Sequence, residues 1–367
     1  MSDFLGDYRP NSALHPGRLL REELTARAMS QRDFAERMRR PPQVINQILR
    51  EKKSITPETA LGIEKVLGID AQFWINLQGI HDLAVERMAE DAQLLERDGL
   101  WLQRLPVRKM EQFGWIEAHS RKSGRLWELL KFFAIPSFDA LPPTPEAIGF
   151  RVTEKAKVDE WALRAWLRQG EREAATREVV DFDPQQFRAA IDEIRSLTVE
   201  APEVSWPRMQ RLCADAGIVL IALPHLPKTG ANGVARWLKP HKAMIQLNLR
   251  YRWADIFWFT FFHEAAHVLE GPSQRVFVDL DNGGAHDDEA ELKADRFATD
   301  SLTPPDPYQA FIERGHFSGS AVQKFADQIE IHPGVVVGRL QHDGHLLHDR
   351  LNSLRDRWQF ADPGTVT

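Results

Sequence analysis

The stretch Phe259-Thr260-Phe261-Phe262-His263-Glu264-Ala265-Ala266-His267-Val268-Leu269-Glu270-Gly271 ends an apolar run with two histidines four residues apart. Residues i and i+4 share a face of a helix, so both imidazoles project the same way, with the Glu264 carboxylate beside the first. Two neutral ring nitrogens on one helix face, with a glutamate next to them, form the half-site of a catalytic zinc ion. The five-residue pattern is short. With thirteen histidines in the chain, it arises by chance on the order of a few per cent of the time. A third ligand decides the matter.

The segment from Asp287 to Ala298 offers one. Its spacing predicts a second helix with Ala290, Ala294, Phe297 and Ala298 on the apolar face. Glu291 and Asp295 are four apart and can point the same way. Glu291 completes a two-histidine, one-glutamate set and leaves the fourth position open for water. Asp295, one turn further on, can accept the free N–H of a ligating histidine and fix its tautomer. Glu289 is the rival ligand, but its two-residue offset puts it on nearly the opposite helix face. The expectation is one zinc ion (Zn2+) per chain on His263, His267 and Glu291, with Glu264 as catalytic base and Asp295 behind the site.

The chain has 367 residues and a formal net charge of −6, unevenly spread. From Arg27 to Lys53, eight basic residues stand against three acidic; from Asp281 to Asp300, seven acidic stand against two basic. Opposite local fields of this kind predict a polyanion as partner at the front and a cation in the acidic block. Cys213 is the only cysteine, which excludes an intramolecular disulfide and a cysteine-based zinc finger. The first residues show no apolar stretch behind a basic one, and the apolar run from Ile256 to Phe262 is too short to span a bilayer. A cytoplasmic protein with no membrane partner is expected.

Within the basic front, His15 to Leu67 reads as short helices. Pro16 opens the first, striped by Leu19, Leu20 and Leu24. Ser30 caps the second, and Pro41-Pro42 starts a third that runs to Arg50. Thr56-Pro57-Glu58-Thr59 opens a fourth. Ala35 and Ile45 sit ten apart, where two helices of a helix-turn-helix cross closely. In that reading the third helix enters the major groove of a double-stranded DNA operator. Gln43, Asn46 and Gln47 meet base edges and Val44 a thymine methyl. Arg40, Arg50, Lys52 and Lys53 hold phosphates, and Gln31 and Arg32 meet the backbone at the start of the second helix. A half-site reader of this kind predicts a homodimer.

These residues carry two resemblances. His15 to about Gln78, through M-S-Q-R-D-F-A-E-R-M and S-I-T-P-E-T-A-L-G-I-E-K-V-L-G, resembles the Xre-type helix-turn-helix of HigA-like antitoxin regulators. It departs at Arg39, where glycine is common in the tight turn. Val204 to Pro304 resembles the ImmA/IrrE family of zinc metallopeptidases through G-I-V-L-I-A-L, N-G-V-A-R-W-L, A-M-I-Q-L-N, F-T-F-F-H-E-A-A-H-V-L-E-G and E-L-K-A-D-R-F-A-T-D-S-L-T-P. The second resemblance implies zinc on His263, His267 and Glu291, Glu264 as general base, and a repressor-like regulatory protein as substrate. The first implies antitoxin-like regulation, with a toxin as a further partner.

The sequence thus predicts an α+β, predominantly helical chain in four parts. Residues 1–80 form a helix-turn-helix bundle, 81–200 a helical scaffold, 201–305 a zincin-like peptidase domain with a small sheet, and 306–367 a C-terminal helical extension. Gly217 to Leu223 and Lys242 to Leu249 read as strands, with Asn232 to Leu238 as an edge strand on which an extended peptide adds. The prolines at 142, 143 and 145 read as a rigid connector. His342, His345 and His348, spaced by three, are a candidate metal stripe, and they or His332 a candidate oxyanion donor. Two other classes remain open at this level. One is a repressor or antitoxin whose zincin fold only binds a partner, the other a peptidase whose front bundle binds protein.

Overall fold

The computed structural model describes residues 14–141, 158–272, 277–280, 289–362 and 365–366. The proline cluster after Leu141, and Asp281, Asp287 and Asp288 of the acidic block, lie outside them. The chain divides into two compact units, residues 1–99 and 100–367, where four segments are expected from sequence.

The first unit is helical: α1 Pro16–Ala26, α2 Gln31–Arg37, α3 Pro42–Leu49, α4 Pro57–Leu67 and α5 Ala71–Asp98. Each start has a local cause. His15 Nδ1 accepts the Gly17 N–H, Ser30 Oγ the Asp33 N–H and Thr56 Oγ1 the Thr59 N–H, while Pro16, Pro42 and Pro57 fix the first-turn geometry. Leu20, Leu24, Phe34, Ala35, Ile45, Ile48, Ile63 and Trp74 build one core. Arg39 does take the left-handed turn between α2 and α3, at φ 52°. α5 runs through residue 80 without a break, so no boundary falls there.

The second unit contains α6 Trp101–Arg104, α7 Val107–Gln112, α8 Lys122–Phe133, α9 Glu160–Ala175, α10 Pro184–Ser196 and α11 Pro202–Asp215. Next come β1 Ile218–Ala222, β2 Ala231–Lys239, β3 Lys242–Leu247, α12 Ala254–Leu269, β4 Phe277–Leu280 and α13 Glu289–Leu302. It closes with α14 Pro305–Glu313, α15 Gly319–Gln328, α16 Pro333–His342 and a hairpin of β5 Phe360–Asp362 and β6 Thr365–Val366.

The main sheet has strand order β1-β3-β2-β4, with β1 parallel to β3 and the other pairs antiparallel. Period-two alternation gives it two faces. Ile218, Leu220, Ala222, Ala235, Ala243, Ile245 and Leu247 share a core with Phe257, Trp258, Phe261 and Phe262 of α12. On the opposite face Gln246 donates to the Trp166 carbonyl of α9 at 2.9 Å, and Arg236 pairs with Glu171. Asn232 to Leu238 is therefore not an edge. β4 pairs with its outer side, because a strand buried on both faces also needs its backbone groups satisfied on both sides. The edges are β1 and β4.

The C-terminal extension is part of this core rather than an appendage. Val335, Val336, Val337, Leu340 and Trp358 pack with the sheet and α12. Arg355 donates from Nε and Nη2 to the two carboxylate oxygens of Asp255 in the first turn of α12, at 3.0 and 2.8 Å. Both side chains are under 10% exposed. Burial pushes the Asp255 carboxyl above its usual range, and the Arg355 guanidinium opposes that rise.

Candidate metal centre and nucleic-acid interface

α12 and α13 pack closely, and their facing residues bring the expected ligands together. His263 Nε2 lies 3.1 Å from His267 Nε2 and 3.2 Å from Glu291 Oε2, and His267 Nε2 lies 3.6 Å from Glu291 Oε1. Ligand atoms around a tetrahedral zinc at about 2.1 Å stand about 3.4 Å apart, so the three donors fit that ion. Asp295 Oδ1 accepts from His263 Nδ1 at 2.9 Å, leaving Nε2 to face the site. Glu289, the rival ligand, is exposed and paired with Lys293 at 2.7 Å. Burial raises the pKa of Glu291. Hydrogen bonds and charge from His263 and His267 outweigh that and hold it well below the usual carboxylate range.

Glu264 is fully buried beside the ligands. A Cβ built on Gly233 of β2 would lie 2.7 Å from Glu264 Oε1 and 2.5 Å from Thr260 Cγ2. Only a glycine lets the strand come this close to the carboxylate, and no local signal marked Gly233 for that part. Arg195 of α10 is a second residue that sequence reading passed over. It donates to the carbonyls of Ser301 and Leu302, at the end of α13, and of Ile329, at 2.7, 3.4 and 2.7 Å. The helix that carries Glu291 is thereby tied down at its far end.

The histidine stripe does not assemble. Among the described residues His342, His345 and His348 form no ligand group. His342 is exposed and bonded to Asp343 at 3.1 Å. His332 caps α16 through the Gly334 N–H and faces Asp356 at 3.2 Å.

In the first unit the proposed DNA contacts fall mainly on one exposed set. Gln31 and Arg32 open α2, Gln43 and Gln47 lie on α3, and Arg50, Lys52 and Lys53 follow it, all exposed. Asn46 Nδ2 reaches Gln31 Oε1 at 3.4 Å, a contact that ties the start of α2 to the outer face of α3. Two residues differ from expectation. Val44 is half-buried against the core, because the stripe of α3 that packs on α1 is wider than Ile45, Ile48 and Leu49 alone. Arg40 is mostly covered and pairs with Glu58 at 2.9 Å.

Residues 20–74 match the helix-turn-helix family model. Virulence-associated protein I of Dichelobacter nodosus is 43% identical over 79 residues, 21% of this chain and 70% of that protein. The chain belongs to the helix-turn-helix family. Within the family it is also similar to the uncharacterised HTH-type transcriptional regulator YddM of Escherichia coli K12, at 34% identity over 22% of this chain and 87% of that protein. Among solved structures, the antitoxin HigA of Pseudomonas aeruginosa with the higBA promoter is 31% identical, covering 23% of this chain and 91% of that one, with a TM-score of 0.22. On the family model and these relatives, residues 20–74 are an Xre-type helix-turn-helix DNA-binding domain. Among the described residues no helix of this helix-turn-helix protein is long and apolar enough to cross a membrane.

Proposed function

We propose that the protein is a DNA-binding transcriptional regulator that carries its own zinc-dependent endopeptidase. The regulator half rests on the family match and on the exposed amides and cations of α2 and α3. The peptidase half rests on one observation: His263, His267 and Glu291 converge at zinc-ligand spacing, with Asp295 behind His263 and Glu264 buried beside them. His263, His267 and Glu291 would hold the ion, which when bound would supply a Lewis acid for the peptide carbonyl and a water of near-neutral pKa. Glu264 takes the proton from the attacking water and returns it to the leaving amine. Asp295 holds the His263 ring in the tautomer that presents Nε2. The substrate proposed is a repressor-like regulatory protein, on the resemblance of residues 204–304. A toxin partner follows from the antitoxin resemblance alone.

Metal analysis tests the site. The purified protein is expected to hold about one tightly bound zinc per chain, lost in both His263→Ala and Glu291→Ala. A wild type that binds none, even with zinc added, turns the reading to a regulator without catalysis. DNA binding is tested by salt. Each phosphate contact contributes about −0.9 to the slope of log K against log salt concentration, so removing Arg50, Lys52 and Lys53 together should flatten it by about 2.7. An unchanged slope would mean that these cations do not touch phosphate.

A further inference from the structure

A second group of metal donors lies in the second unit, apart from α12 and α13 in sequence. Glu117 and His119 sit in the turn that follows α7, and Glu128 lies on α8. His119 Nε2 stands 3.9 Å from Glu117 Oε2 and 3.8 Å from Glu128 Oε1, and one ligand atom from each residue falls within 4.8 Å of the others. Neither carboxylate is close enough to accept a hydrogen bond from that ring nitrogen. Three donors around a zinc at about 2.1 Å stand about 3.4 Å apart. The three ligand atoms lie within 4.8 Å of one another, and movement of the exposed Glu117 side chain closes the set.

The other two donors are held in place. Glu128 is 8% exposed, and the Glu117 N–H donates to its Oε2 at 3.4 Å. Burial favours the neutral acid, but hydrogen bonds from Lys131 and Glu117, with the Lys131 and His119 charges, keep the carboxyl below its usual range. The His119 ring packs on the first turn of α8, where a Cβ on Gly124 would lie 2.9 Å from its Cγ. The turn is anchored from behind, since Arg172 of α9 donates to the Trp115 carbonyl at 2.9 Å. One cation already uses the group: Lys131 Nζ donates to Glu128 Oε1 at 2.7 Å. Its side chain is 58% exposed and can swing out to solvent.

We infer that Glu117, His119 and Glu128 form a second, weaker site for a divalent transition-metal ion, filled in competition with the Lys131 ammonium. One imidazole with two carboxylates suits zinc and its neighbours rather than calcium, which takes all-oxygen sets of six to eight ligands. Solvent completes the coordination on the Glu117 side.

The test is zinc titration of the full chain carrying His263→Ala and Glu291→Ala, with a chromophoric chelator as competitor. About one equivalent should still bind, and adding His119→Ala should abolish it while the far-UV circular dichroism stays unchanged. Lys131→Gln should act in the opposite direction. Lys131→Gln removes the ammonium that competes for Glu128 and is expected to tighten binding by at least about fivefold, the ~1 kcal/mol that two unit charges about 4 Å apart exchange in water. No zinc bound by the double variant, binding that survives His119→Ala, or binding unmoved by Lys131→Gln would each overturn the site. The outcome is independent of the first centre, which is absent from every protein in this comparison.

Discussion

Glu264→Gln is expected to keep zinc at about one equivalent per chain while slowing peptide hydrolysis by about a hundred- to ten-thousand-fold. Glutamine has the shape of glutamate, so it fits the space between α12 and Gly233 without disturbing His263 or His267. It cannot take a proton at neutral pH, and the step in which water attacks the carbonyl loses its base. The measurement is zinc content beside initial rate on the best-cleaved member of an unstructured peptide library. Cleavage that survives with zinc in place would remove Glu264 from that role. Loss of zinc and activity together would make the carboxylate a structural group.

The second large effect is on stability. Arg355→Ala leaves the Asp255 carboxylate buried against Gly338 without its guanidinium partner, since a Cβ on that glycine would lie 2.3 Å from Asp255 Oδ2 and water has little room to enter. Breaking one side of such a pair costs about 3–5 kcal/mol. For a unit of this size that corresponds to a melting temperature lower by on the order of 10 °C. Removing both charges, as Asp255→Asn with Arg355→Gln, should recover much of the loss, because no isolated charge remains. A single variant that melts like the wild type would show that the pair sits in a wetter place than its exposure implies.

The features legible in sequence were those with a local period. Helical spacing put His263, His267, Glu291 and Asp295 on facing surfaces, and the same spacing separated Glu291 from Glu289. Caps and prolines placed α1 to α4 within two residues or so, and the left-handed Arg39 could be anticipated from the turn it occupies. Contacts between distant segments escaped, because they leave no period. β4 gave no alternation strong enough to show that it would cover β2. The extension after residue 305 read as helical, which does not say what it packs against. Gly233, Arg195 and Arg355 act through shape or backbone carbonyls far along the chain, and any glycine or arginine in sequence looks the same.

The Asp255–Arg355 link also sets an order of events. It spans 100 residues, so the first turn of α12 stays without its partner until the last part of the chain is made. Synthesis at roughly 5–20 residues per second places tens of seconds between the helix-turn-helix unit and that moment. A nascent chain can thus carry a finished helix-turn-helix unit well before α12 gains its Arg355 partner, and on the proposed function a chain cut short before residue 355 would bind DNA without the proposed metal centre locked in place.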